Sequence, residues 1–184
     1  MAEFAEQLER ETARDDARAR DDPHCFLPGL AMRLCLQGIH DMEARLQQQG
    51  FEGENLRTAF LAEYERSAQE SSIFAHEGRH LIDMRIEPGL SAWKTEYRAK
   101  LSEAVFTTDP RLAVVGSIFS AASGDPTPHG QADLRIMKGL VKWMKKHRKE
   151  IRELDPKRPL LPQFDRLSDE QMRQAFRSMD RLAK

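Results

Sequence analysis

Apolar residues recur along this chain mainly at intervals of three and four positions, which is the spacing of one face of an α-helix. The clearest case is residues 29–48, where Leu30, Leu36 and Ile39 fall near one side of a helix. No stretch shows the clean alternation of β-branched and polar residues that is typical of a strand. The pattern predicts helices over residues 3–20, 29–48, 54–68, 72–85, 92–106, 110–122, 131–153 and 169–182.

Turn-forming and capping residues separate these segments. Glu87-Pro88-Gly89 turns the chain tightly, so residues 72–85 and 92–106 should form an antiparallel hairpin. Ser71 or Ser72 is suited to cap the first helix of that hairpin. At the other end of the chain, Ser168-Asp169-Glu170-Gln171 matches a capping box and opens the last helix.

The remaining segments complete the predicted fold. Residues 123–130 form the longest clear loop, and residues 155–163 contain three prolines and should be an extended connector. Residues 1–22 are charged and nearly lack an apolar stripe, which predicts a solvated helix or a loose arm. The sequence therefore predicts an all-α domain of six or seven helices over residues 23–184, with little or no β-sheet.

Composition narrows the class of protein. Of the 184 residues, 40% are hydrophobic and 32% are charged, which fits a helix-rich globular chain. The net charge of -1 offers no overall attraction to nucleic acid or to an anionic membrane. Nucleic acid is therefore an unlikely partner. No apolar run reaches the roughly 18 residues of a membrane span. The first residues lack the apolar core of a secretory signal, so a cytoplasmic location is expected, whether the chain is whole or part of a longer protein.

The candidate chemistry lies in residues 76–80, His-Glu-Gly-Arg-His. His76 and His80 are four residues apart, so on a helix both imidazoles leave the same face, one turn apart. This spacing lets two nitrogen atoms bind one tetrahedral zinc ion. Glu77 lies about 100° around the helix from His76, where its carboxylate can reach a water molecule at the metal. The pentapeptide therefore predicts a site for metal-activated hydrolysis.

A third protein ligand is predicted from the hairpin. Residues equally far from the turn at Pro88 stand at the same height in the two helices. His80 precedes this turn by as many residues as Glu96 follows it, so Glu96 is the first choice for the third ligand. Glu103 is the second choice. Asp83 shares the histidine face but lies about 10 Å along the axis from His76, and we expect it to orient His80 or to bridge to the next helix.

Apolar residues flank the motif on both sides. Ile73 and Phe74 precede it, and Leu81 and Ile82 follow it directly. We expect these side chains to surround the histidines, because apolar surroundings exclude water and strengthen metal bonds.

His76, Glu77 and His80, with Glu96 on the following helix, resemble the zincin metallopeptidases, specifically the gluzincin branch. The resemblance covers about thirty residues. It implies zinc bound by His76, His80 and Glu96, Glu77 as the general base, and a peptide or protein as the substrate. The stretches HEGRHLID and EYRAKLSE also resemble helical domains of bacterial proteins that have no assigned activity. The chain departs from the zincin pattern at Arg79, where the family favours an uncharged residue, and in the absence of a predicted edge strand.

Hydrolysis also needs a donor for the negative charge that develops on the substrate oxygen. His129, in the loop Pro-Thr-Pro-His-Gly, is the first candidate, and Tyr97 and Arg98 are the others. The leading hypothesis is therefore a zinc-dependent hydrolase, and specifically a metallopeptidase.

Two alternatives remain open at the level of sequence. The chain could be a non-catalytic helical interaction domain of a larger protein, with a structural or vestigial metal motif. A weaker alternative rests on the helix predicted over residues 131–153, whose many lysines and arginines surround Trp143. These side chains could bind phosphate or nucleic acid, but the solvent-facing side of an amphipathic helix, with Ile136, Leu140, Val141 and Met144 in the core, explains the same pattern.

Overall fold

A computed structural model describes residues 2–22, 25, 27–117 and 126–180, and within these ranges it is all-helical, as predicted. A π-helical segment, Glu70–Glu77, connects α3 to α4, and a short 3-10 helix, Leu161–Arg166, precedes α8. The described α-helices are α1 (Ala2–Asp21), α2 (Pro28–Gln48), α3 (Gly53–Gln69), α4 (Gly78–Ile86), α5 (Ala92–Phe106), α6 (Pro110–Ser117), α7 (Pro128–Lys146) and α8 (Asp169–Met179).

Several helix boundaries differ from the prediction for local reasons. Helix α7 begins at Pro128 rather than at residue 131, because Thr127 caps it and accepts a hydrogen bond from the Gly130 amide. The helix predicted over residues 110–122 is described only as far as residue 117, and the first three residues of the predicted loop, 123–125, also lie outside the described residues. The capping box of Ser168 and Gln171 is confirmed, with both of its hydrogen bonds present.

Helix α5 lies at the centre of the fold. It packs against the π-helical segment and against α4, α6, α7 and α8, and every residue from 99 to 105 is buried. A helical segment buried on all sides must provide partners for its polar side chains. Lys100 binds Asp133 of α7 at 2.5 Å, and Ser102 accepts a hydrogen bond from Arg79 of α4. The polar positions of α5 therefore fix how its neighbours are oriented.

Helix α1 is part of the packed body. Ala19 belongs to the core, and the buried carboxylate of Asp15 accepts a hydrogen bond from the Leu30 amide at 2.7 Å. The two helices come close at Gly29, where a Cβ atom would lie 2.9 Å from the backbone of Glu11. A side chain at this position would push α1 away from α2.

Helix α7 is strongly amphipathic. Ile136, Leu140 and Met144 are fully buried, and Val141 packs partly buried against the core, while the lysines lie on the solvent side. Trp143 is only 7% exposed and stacks on His147, so its ring is inside the fold rather than on the basic face. None of the described helices combines the length and the apolar character needed to cross a bilayer.

Candidate metal centre

The helix that carries the histidines continues from α3 without a break. Ser71 and Ser72 do not cap a new helix, and their hydroxyls instead donate to the carbonyl of Ala68. The prediction of a separate, serine-capped helix is therefore wrong. The continuity is achieved by π-helical winding over Glu70–Glu77, which places His76 at the end of the wider segment and His80 in α4. Such π-helical turns are rare in proteins, and those that occur often lie at functional sites.

His76, His80 and Glu96 direct their donor atoms towards one another. The two Nε2 atoms are 3.0 Å apart, and the Glu96 carboxylate lies 3.5 Å from each of them. Around a tetrahedral zinc ion with bonds of about 2.0–2.1 Å, neighbouring donor atoms would be about 3.3 Å apart. The observed distances are close to that value. Among the described residues, this is the one group of three or more histidine, cysteine or acidic side chains compact enough for a metal ion.

The antiparallel packing of α4 on α5 brings Glu96 to the histidines. The chain turns at Pro88 and Gly89, as the sequence predicts, and Glu96 then stands level with His80. Glu103 lies two turns further along the same face of α5. The Glu103 carboxylate contacts Nδ1 of the His76 ring, whereas Nε2 on the other side of the ring faces the cluster of donor atoms.

Glu103 holds the orientation of His76. Its Oε1 lies 2.5 Å from Nδ1 of His76, and both side chains are largely buried. This hydrogen bond raises the pKa of His76 above its ordinary value. When His76 is neutral, a proton on Nδ1 leaves Nε2 with its lone pair directed at Glu96 and His80. A carboxylate behind a histidine ligand is a common arrangement at metal sites, where it fixes the ring and increases its basicity.

Two buried polar atoms at the cluster make no hydrogen bond. Nδ1 of His80 and Oε2 of Glu96 are both inaccessible to solvent, and neither has a hydrogen-bonding partner of suitable geometry among the described residues. Leaving such atoms unsatisfied destabilises a fold. Oε2 of Glu96 lies 3.0 Å from Nδ1 of His129 but without hydrogen-bond geometry. A cation bound between the carboxylate and the imidazoles would compensate its charge, so the donor set fits a metal ion.

His129 lies at the edge of the cluster. The structure places it in the first turn of α7 rather than in a loop, and its Nδ1 is 3.0 Å from Oε2 of Glu96. Its side chain is 60% exposed, in contrast to the two motif histidines. The other two candidate donors do not reach the site, because Tyr97 contacts the Met179 carbonyl and Arg98 pairs with Glu87.

Glu77 lies beside the cluster on the solvent side. It is exposed, and together with His76, Glu103 and His129 it lines a cavity of about 650 Å³. The buried pair of Lys100 and Asp133 also lines this cavity. A carboxylate next to a histidine, facing an open cavity, is free to exchange protons with a bound molecule.

Arg79 points away from the histidines into the protein. It is 7% exposed and forms ion pairs with Asp83 at 3.0 Å and with Asp180 at 2.6 Å. Asp83 also lies 3.4 Å from Arg98 of α5, so it bridges to the next helix, one of its two expected roles, and does not contact His80. The charged residue inside the motif thus anchors α4 to α5 and to the end of α8.

The predicted apolar surroundings of the histidines are wrong. Ile73, Phe74, Leu81 and Ile82 are all more than half exposed. The π-helical segment and α4 together form the motif helix, residues 70–86. Its inner face is instead made of Ser71, Ala75, Arg79 and Asp83, which are buried. Ion pairs with neighbouring helices, rather than apolar contacts, therefore attach this helix to the core.

Comparison with known proteins gives no match: no protein-family model, curated protein or solved structure is significantly similar to the chain. Its function must therefore be inferred from the site itself.

Sequence reasoning missed the functional contacts that depend on packing. The role of Glu103 behind His76 could have been anticipated, because Glu96 and Glu103 are seven residues apart and share one face of α5. No local signal indicates the contact of His129 with Glu96 or the pairing of Arg79 with Asp180, since these partners are far apart in the chain.

Proposed function

We propose that this protein is a zinc-dependent hydrolase, with a metallopeptidase as the most specific form of that proposal. The observation that supports it is the meeting of His76, His80 and Glu96, with Glu77 next to them on an open cavity. Two imidazoles and one carboxylate suit zinc, and three protein ligands leave a position for water, as in catalytic zinc sites. Bound zinc would supply Lewis acidity for the attack of water on a carbonyl group.

The residues of the chain have separate roles in this proposal. Glu77 accepts a proton from the attacking water and later donates it to the leaving amine. Glu103 positions His76 through its hydrogen bond to Nδ1. His129, exposed at the rim, would donate a hydrogen bond to the oxygen of the substrate carbonyl.

The first experiment combines metal analysis with a Glu77→Gln variant. The purified protein is expected to contain about one zinc ion per chain, measured by elemental analysis, and to hydrolyse casein or a general peptide substrate. Glu77→Gln should keep the metal and lose the hydrolysis, because Glu77 acts on the proton and does not bind the ion. Glu65→Gln, an exposed glutamate on α3, is the matched control and should retain both. Protein without bound zinc under saturating conditions would refute the proposal.

A structural metal in a non-catalytic interaction domain is the second candidate, and the position of His129 favours it. With Nδ1 3.0 Å from Glu96, His129 is close enough to become a fourth protein ligand, which would leave no place for water. In that case His129→Ala should weaken zinc binding, and neither the unmodified protein nor this variant should hydrolyse peptides. In the hydrolase, the same variant should keep its zinc affinity and lose activity.

A further inference from the structure

The outer face of the motif helix is unusually apolar for a surface. Large apolar side chains cluster there, each between 54% and 73% exposed: Ile73, Phe74, Leu81, Ile82, Met84, Ile86 and, from the adjacent end of α5, Phe106. The inner side of the same helix carries the buried charges of Arg79 and Asp83. The usual arrangement of an amphipathic helix is thus reversed, which indicates that the outer face is covered by something else.

The size of this face is that of a protein–protein interface. At roughly 100 Å² for each of the seven side chains, they present about 700 Å² of apolar surface. The largest apolar patch on a typical monomer covers about 300–600 Å². Each partner in a stable complex contributes about 800 Å². The summed apolar surface is therefore close to the area that each partner contributes to a stable dimer.

A groove along this face is centred on Gly78. Phe74, Gly78 and Ile82 follow one another at intervals of four residues, and together with Phe106 they line a groove of about 520 Å³. A Cβ atom at Gly78 would meet nothing within 4 Å, and its φ of -58° is ordinary for a helix. Neither the backbone nor the packing of the monomer thus requires glycine here, although glycine destabilises a helix interior. Its absent side chain leaves room for another helix to approach closely.

We propose that this groove is the interface with a second copy of this chain, whose motif helix packs antiparallel across Gly78. Phe74 and Ile82 are equally distant from Gly78, so a two-fold axis at Gly78 places Phe74 of each copy against Ile82 of the other. A face that complements itself in this way fits the two-fold symmetry of most homodimers.

This dimer would leave the metal centre accessible. The groove and the cavity beside Glu77 share no lining residue. A partner centred on Gly78 therefore does not enter the cavity.

The mass of the chain in solution tests the proposal. Sedimentation velocity at concentrations from about 1 to 100 μM should show a particle of twice 21.2 kDa. Phe74→Glu should raise the dissociation constant at least about 30-fold, since a central apolar contact is lost twice in a symmetric dimer. Leu61→Glu alters another exposed apolar residue, 60% exposed and on α3, and is the control, with an unchanged dissociation constant.

Gly78→Leu provides a second test that does not depend on charge. A Cβ atom at this position meets nothing in the monomer, so the helical circular dichroism should be retained while the dimer is lost. A 21.2 kDa particle at every concentration would overturn the proposal. A dimer that persists in the folded Phe74→Glu and Gly78→Leu variants would also overturn it. The same holds for a monomer that binds a different protein through Phe74.

Discussion

Replacing Glu103 should weaken zinc binding even though Glu103 is not one of the proposed ligands. Its carboxylate lies 2.5 Å from Nδ1 of His76, and its side chain is 8% exposed, so water cannot take its place easily. Loss of such a partner typically reduces metal affinity about 10- to 100-fold, which corresponds to about 1.4–2.7 kcal/mol. Glu103→Gln keeps an acceptor for Nδ1 and removes only the charge, so its zinc affinity should be about 10-fold weaker. Glu103→Ala removes both the acceptor and the charge, so its zinc affinity should be weaker by nearly 100-fold.

The assay is a competition titration of each protein against a chromophoric zinc chelator at pH 7.5. Glu70→Gln is the matched control, because Glu70 belongs to the same π-helical segment but binds the Thr108 amide rather than a histidine. Its zinc affinity should equal that of the unmodified protein. Affinities within twofold of the original for both Glu103 variants would refute the positioning role. If Glu70→Gln weakened zinc binding to the same extent, the effect would instead come from a general loss of helix packing.

Three further predictions follow from the described contacts. The hydrogen bond to Glu103 raises the pKa of His76, so its proton stabilises the metal-free fold below pH 6.5, and this contribution is lost as pH rises through the raised pKa. Zinc requires the neutral imidazole, so the increase in Tm on adding zinc should be small near pH 6 and grow towards pH 8. Arg79→Met leaves the carboxylate of Asp180 buried without this partner and should lower the free energy of unfolding in urea by about 3 kcal/mol. Ser168→Ala removes the capping box of α8 and should cost about 1 kcal/mol in the same measurement, with no change in zinc affinity.

The sequence was a good guide wherever the controlling interaction is local. Helical periodicity located the helices, and turn residues such as Pro88 and Gly89 located the hairpin. The spacing of His76 and His80 placed both imidazoles on one face, and counting from the turn selected Glu96. Each of these inferences uses residues within about twenty positions, where helix geometry fixes the distances.

The orientation of the motif helix could not be obtained in this way. Its apolar residues suggested that Phe74 and Ile82 point inward, whereas Arg79 and Asp83 do so. The charges are buried because partners in other helices compensate them, and Asp180 is about a hundred residues away. Hydrophobic periodicity carries no information about such partners.

The amino-acid sequence by itself thus determined the helical class, the hairpin and the pair of histidines, because these depend on short-range backbone geometry. Only the tertiary structure decided that Glu103 supports His76, that His129 approaches Glu96 and that an apolar face remains at the surface. Those features arise where separate helices meet, and the free energy of such contacts depends on packing between elements that are distant along the chain.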